Sequence, residues 1–329
     1  MKDTKRNGAV RLGLKRYGTI LIYLGMVLIF SLIRPQYLTI DNFKSILVQA
    51  SLLGIIASGM TLVMMTGGAD LSVAAVAGLS VLAGLWPVVF GDTPLLVGLL
   101  IAVAIALFIG AINGICVSKL GVAPFVATLG TMFFAQGMQY VFSEGGLSIS
   151  YGFPDAFKFI GTGEPLGVPM PIVIYLVIFL VLHIATEHAP FGRYLKATGL
   201  NQFSSELSGI PIRFYTFISY VLCSLLAAVL GLTLCAFQTF AAPDLGSSFL
   251  MDSLLVVLLG KTLINHKIAI YGTAFGAIFL RSFETGLAMI GTPVTVLNIC
   301  KGTLLVCVLL LTLIKQKQDG KGKRRTAGV

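Results

Sequence analysis

Asp70 is the first residue of this sequence able to do chemistry in a place where chemistry is costly. It stands in Gly67-Gly68-Ala69-Asp70-Leu71-Ser72, between two long apolar runs. The two glycines end one helix, and the carboxylate then occupies the cap of the next, able to accept from freed backbone N–H groups. An ionisable group inside an apolar bundle costs a few kcal/mol, so Asp70 either holds this helix break or touches a transported solute. Gly67, Gly68, Asp70, Leu71 and Ser72 together form the helix-break motif. Asp252 opens a later apolar run and is expected to cap it in the same way. Asn113, Gln136 and Gln139 lie within apolar runs and must face another helix or a water-filled path. With Asp70 and Asp252 they are the candidates for a substrate pathway. Arg281 and Glu284 are three residues apart and suited to pair on one helix face. Lys301, near the start of the last run, is expected to reach outward along its apolar stem.

Other constellations carry no chemistry. Cys116, Cys223, Cys235, Cys300 and Cys307 are scattered through apolar runs with no C-x-x-C pair, and read as small hydrophobes. Gly260-Lys261-Thr262 resembles the end of a phosphate-binding loop. However, Leu255 stands where its first glycine belongs, and Val256, Val257, Leu258 and Leu259 fill the interval. With His183, His188 and His266 as the only histidines and no H-x-x-x-H or G-x-S-x-G, the sequence predicts no catalytic residues, no metal and no cofactor.

The elements that must position these residues follow from composition. Of 329 residues, 57% are apolar and 11% charged, against roughly 45–50% and about 25% in soluble domains. Mean hydropathy is +0.95. These values exclude a soluble enzyme, a disulfide scaffold and a nucleic-acid-binding protein, and predict an all-α polytopic membrane protein in contact with the lipid bilayer. Apolar runs fall near 17–33, 45–66, 71–90, 95–117, 122–142, 171–186, 214–236, 249–263, 268–287 and 295–314, which predicts ten transmembrane helices within a single membrane-spanning unit at 17–314. The first run is not a cleaved signal peptide, because it is long and closes on Arg34-Pro35-Gln36-Tyr37 with no small-residue cleavage site.

Ten crossings put both termini on one side. The basic tails at 1–16 and 315–329, with Lys119, Arg193, Lys196, Arg213, Lys261 and Lys267, place eighteen basic residues on that side, against Arg34, Lys44 and Lys158 on the other. That asymmetry marks the termini as cytoplasmic. It also explains the net charge of +10 as a face set against anionic lipid, with no nucleic acid as partner.

Two loops remain. The outer one, about 143–170, is expected to be a cap with little regular structure. The inner one, about 187–213, is expected to hold two short helices, the first from Pro190 and the second capped by Asn201 and closed by Gly209. Phe203, Leu207 and Ile210 then share one side, and such a helix can lie on lipid or dock into a partner. A weak internal echo links Gly110-Ala111-Ile112 with Gly276-Ala277-Ile278. Gly110/Gly114 and Gly272/Gly276 are both G-x-x-x-G pairs that let helices approach closely. Transporters are often built from such repeats.

Gly67-Gly68-Ala69-Asp70-Leu71-Ser72-Val73 resembles the G-G-x-D-L-S-V signature of permease subunits in ribose-type sugar ABC importers (the branched-chain amino acid/ribose permease family). Gly192-Arg193-Tyr194-Leu195-Lys196-Ala197-Thr198-Gly199-x-Asn201, followed by Leu207-Ser208-Gly209-Ile210, resembles their cytoplasmic loop, and Pro243-x-Leu245-Gly246 also fits. The likeness spans about 17–314. It implies a bacterial inner-membrane protein whose partners are a cytoplasmic ABC ATPase, a periplasmic or lipid-anchored solute-binding protein, and a second permease copy, identical or paralogous. It makes Gly192, Arg193, Ala197, Gly199, Asn201, Leu207, Ser208 and Gly209 the ATPase-coupling loop. It also implies that this chain is no enzyme, with ATP hydrolysis in the separate subunit.

The family pattern breaks at 250–266, where Asp252, Gly260 and Thr262 are kept but Lys261 and His266 stand in place of glycines. An unusual solute or a heteromeric pore would follow from that departure. Two other readings stay open: an ion-coupled secondary transporter using Asp70 or Asp252, and a permease of the same family for branched-chain amino acids or nucleosides.

Overall fold

The computed structural model describes residues 20–263, 267–308 and 310. The basic tails at 1–16 and 315–329, the end of the last apolar run, and Asn265 and His266 lie outside them. Among the described residues the regular structure is helical, apart from one isolated antiparallel bridge between Ile149 and Ala241.

Each of the ten apolar runs coincides with a helix. These are α1 (Ile20–Ile33), α2 (Ile40–Met65), α3 (Val73–Phe90), α4 (Leu95–Ser118), α5 (Pro124–Phe142), α7 (Met170–His183), α10 (Ile212–Gln238), α11 (Ser248–Leu263), α12 (Ile270–Met289) and α13 (Val294–Val308). Five of the described helices are long and apolar enough to cross a membrane: α2, α3, α4, α10, and α7 extended to His188. Local chemistry sets the ends. Thr39 caps α2 by accepting from the Asn42 N–H, which starts the helix five residues before its apolar run. Pro124 and Pro190 occupy first-turn positions of their helices, where a missing N–H costs nothing.

The outer loop departs from expectation. It contains a short helix, α6 (Asp155–Thr162), and a 3-10 turn at Pro165–Gly167. Phe157 on α6 is buried beside Phe153 and Leu232, because the helix is amphipathic enough to seal one end of α10.

α2 and α10 pack on each other at the centre. α3 and α4 lie against α10, while α11 and α12 lie against α2 in the mirrored relation. Close approach depends on missing side chains. Gly110 and Gly114 of α4 meet α10, where a Cβ would fall 2.9 Å from the Ser224 Cβ and 2.9 Å from the Phe217 carbonyl oxygen. On α12, a Cβ at Gly276 would fall 2.6 Å from the Val256 carbonyl oxygen of α11, and one at Gly272 would meet Gly260. Both G-x-x-x-G pairs therefore sit in tight helix crossings.

Gly231 of α10 lies against the Ala77 backbone carbonyl, which cannot move aside without distorting α3, whereas Gly137 of α5 faces open space. Gly231→Ala is expected to destabilise the protein by ~1–3 kcal/mol through overpacking. Gly137→Ala is expected to leave stability unchanged or raise it by up to ~1 kcal/mol. Thermal unfolding of the two purified variants in detergent checks both.

Candidate functional site

The helix break is built by the sequence around it. Gly67 adopts φ +91°, so α2 ends with Gly67 N–H donating to the Met64 carbonyl and Gly68 N–H to Val63. That pattern is a Schellman motif, and it satisfies orphan carbonyls away from water. Asp70 is fully buried, but it is not the cap itself. α3 begins at Val73 with Ser72 in the cap position, and Asp70 Oδ1 accepts from the Ser72 N–H at 2.8 Å and from its hydroxyl at 2.6 Å. The carboxylate thus fixes the turn that starts α3.

Ser72 connects this turn to two further helices. Asn113 Nδ2 of α4 donates to Ser72 Oγ at 2.9 Å, and Thr131 of α5 donates to Asn113 Oδ1 at 2.8 Å. Two turns along α5, Gln139 makes a second bridge of this kind. Its Nε2 donates to the Ala75 carbonyl at 3.0 Å, and its Oε1 accepts from Asp244 N–H at 2.7 Å. Asp70, Asn113 and Gln139 are all fully buried. Gln136 is partly exposed, and lines a small cavity of about 50 Å³ with Leu71, Met132 and Asp244.

Asp252 lies elsewhere and does not cap α11. Its Oδ1 accepts from Lys301 Nζ at 3.1 Å, and its Oδ2 stands 3.2 Å from Arg281 Nη2. Arg281 also pairs with Glu284, as their spacing predicts, and Glu284 reaches Lys301 at 2.8 Å. Lys301 therefore does not reach outward. Two carboxylates within 4 Å hold it in, and all four side chains of the cluster are largely removed from water. This quartet joins α11, α12 and α13. It borders a chamber of about 650 Å³, also lined by Gln49, Ser248, Thr285 and Asn298, and a second space of about 410 Å³ beside it.

The loop between α7 and α10 forms the third feature. The last turn of α7 widens into a π turn at Ile184–His188. α8 (Pro190–Leu200) then folds back, held by Lys196 Nζ donating to Glu187 at 2.7 Å and to the Thr186 carbonyl at 3.1 Å. Gly192 and Gly199 are in backbone contact with Thr186 and Met65 respectively, so α8 is seated on the ends of α7 and α2. Asn201 caps α9 (Gln202–Leu207) by accepting from the Ser204 N–H at 3.0 Å. Gly209 turns the chain out with φ +77°. Ser208 bonds back to the Ser204 carbonyl, while Arg193 is exposed and Ala197 partly buried. Leu200, Phe203 and Leu207 stand 86%, 73% and 75% exposed.

Thr131, Asp244, Gln49, Thr285 and Asn298 complete these arrangements, and sequence reasoning does not single them out. Thr131 and Thr285 look like ordinary helix residues. Asp244 contributes its backbone N–H, which no side-chain pattern announces. Two cations and two carboxylates within apolar runs are a balanced set, and that balance is the available signal for the quartet. Among the described residues, no cluster of three or more His, Cys, Asp and Glu side chains is placed to hold a metal ion.

Residues 42–311 match the family model described as branched-chain amino acid transport system / permease component. The ribose import permease protein RbsC of Escherichia coli (strain K12) is 36% identical over 92% of this chain and 94% of its own length. RbsC of Bacillus subtilis (strain 168) is 33% identical over 91% and 92%. The D-allose transport system permease protein AlsC of Escherichia coli is 28% identical over 92% and 93%.

Removing one partner of a buried ion cluster leaves an uncompensated charge, whereas removing a matched pair does not. Lys301→Met is expected to destabilise the protein by ~3–5 kcal/mol. Asp252→Leu combined with Lys301→Met, which leaves Arg281 with Glu284, is expected to recover most of that loss. Thermal unfolding of single and double variants in detergent measures the difference.

Proposed function

The chain belongs to the family of branched-chain amino acid transport system permease components, and from that premise we propose that it is the membrane subunit of an ATP-driven importer for a monosaccharide or sugar-like solute. The substrate class is supported by its relatives, which are permeases for ribose and D-allose. A separate permease relative from Enterobacter, 29% identical, serves an autoinducer-2 import system.

In this reading the chain crosses the bacterial inner membrane ten times with both termini cytoplasmic. The basic-residue asymmetry supports that orientation. The mirrored packing of α3 and α4 on α10, and of α11 and α12 on α2, supports an internal repeat of opposite orientation. The partners are a cytoplasmic ATPase, a solute-binding protein on the opposite face, and a second permease, identical or paralogous. Gly260-Lys261-Thr262 offers no nucleotide site. It lies inside α11 with Gly260 packed on Gly272, so its backbone is committed to the helix. ATP hydrolysis is assigned to a separate ATPase because the relatives are permease components of import systems.

The observation that carries this reading is the α8–α9 loop. It is anchored at Lys196, Gly192 and Gly199, yet presents Leu200, Phe203 and Leu207 to the outside. A rigidly seated element with exposed apolar anchors is a docking surface for a groove on another protein. Through Gly199 and Met65 the same element touches the end of α2, next to the helix break. Movement imposed by the ATPase would reach the bundle at that point.

Phe203→Asp combined with Leu207→Asp changes only exposed side chains. The variant is expected to express and unfold like the parent, but to lose the ATPase from native-membrane purifications and to lose ATP-dependent sugar uptake. Retention of the ATPase at parental levels would show that α9 is not the docking element.

A further inference from the structure

We propose that the chamber beside Asp252, Arg281, Glu284 and Lys301 is a contact subsite for a neutral polyhydroxylated solute, with Arg281 and Glu284 setting that choice. The inference rests on the reading that this chain moves a sugar-like solute, and it assigns that solute a place.

At about 650 Å³, the chamber falls in the ~300–1,000 Å³ range of small-molecule sites. Its lining is unusual for a surface otherwise made of apolar helix faces. Gln49 of α2, Ser248 of α11 and Asn298 of α13 are all exposed there. Amide and hydroxyl groups turned to hydrocarbon would lack partners, so these positions favour water, a polar solute or a polar partner surface over lipid. Ala288, Met289, Val294 and Leu297 supply apolar wall on the other side. That combination suits a molecule with C–H faces and hydroxyl edges.

The quartet then decides on charge. Two carboxylates face two cations through contacts of 2.8–3.2 Å and the closer Arg281–Glu284 pair. The cluster has no net charge with which to hold an ion. It does keep unused hydrogen-bonding capacity just beneath the chamber wall: Arg281 Nε–H has no acceptor and Asp252 Oδ2 no donor in hydrogen-bonding geometry, and both atoms are buried. The Arg281 guanidinium is steadied over the Phe249 ring, 5.3 Å from its centroid. Opened by a small shift of either side chain, one donor and one acceptor of the same ion pair serve hydroxyls, each of which both donates and accepts. An anionic sugar would instead have to break an existing pair, because both cations are already committed.

The test uses the full chain with Cys116, Cys223, Cys235, Cys300 and Cys307 replaced by serine or alanine, assembled with its partners in proteoliposomes. Ser248→Cys and Thr285→Cys are introduced one at a time and treated with a charged, membrane-impermeant methanethiosulfonate. Both are expected to react, and D-ribose or D-allose is expected to slow the reaction, with ribose 5-phosphate far less effective. The charge-balanced double variant Arg281→Gln/Glu284→Gln is expected to raise the half-protecting sugar concentration about tenfold, equivalent to ~1.4 kcal/mol. Failure of both cysteines to react would show the chamber is dry. Reaction without sugar protection, protection by ribose 5-phosphate equal to that by ribose, or unaltered protection in the double variant would each overturn the proposal. ATP-dependent sugar uptake by the same preparations is read in parallel. Uptake without protection removes the subsite and keeps the transport function, whereas protection without ATP-dependent uptake does the reverse.

Discussion

In hydrocarbon, a backbone or side-chain polar group that finds no partner costs several kcal/mol, and no water comes to satisfy it. The break at Gly67–Ser72 is one place where this protein meets that constraint. A helix stops and another starts where Gly67 is exposed but Asp70 and Ser72 are fully buried, and several freed groups there find partners within the chain, while Asp70 Oδ2 is left without one. The Schellman bonds to Met64 and Val63 satisfy the end of α2. The Asp70 carboxylate satisfies the start of α3, and Ser72 passes the network on to Asn113 and Thr131. Four helices are thereby tied to one turn. Gly67 is needed because its φ of +91° is strained for any side chain, and Asp70 because a short acceptor must reach a backbone N–H two residues on.

The same constraint is handled differently on the other side of the bundle. There the polar groups are full charges, and they are neutralised by one another across α11, α12 and α13. A hydrogen-bonded turn is directional and local, while the ion quartet links three helices through charge. The chamber borders the quartet and not the turn.

Much of this is legible in the sequence. The apolar runs announce the helices because a spanning segment has to be long and nearly free of charge. Asn201, Gly209 and Pro190 announce the ends of α8 and α9 because caps follow local rules. The sequence marks Asp70 as either a helix cap or a solute contact, and its carboxylate stands two residues further from the helix than the capping pattern suggests. The errors share a cause. Asp252 reads as a cap and Lys301 as an outward-reaching side chain when each is judged against its own helix. Their pairing depends on residues 49 positions apart brought together by tertiary packing, which no local period records. The bond between Gln139 and Asp244 is hidden for the same reason, with the added difficulty that Asp244 takes part through its backbone. The helix α6 in the outer loop is masked by its flanking glycines and prolines.

The central claim is that solute movement through this chain is driven by ATP hydrolysis in a partner docked on α8–α9, and not by an ion gradient acting on its own carboxylates. The most direct measurement is uptake of labelled D-ribose by vesicles containing the complete assembly, with its binding protein supplied, while proton and sodium gradients are abolished by ionophores. The account predicts uptake that requires ATP and is undiminished by the ionophores. Uptake that persists without ATP and collapses with either gradient would contradict it, and would turn attention to Asp70 and Asp252 as ion-coupling groups.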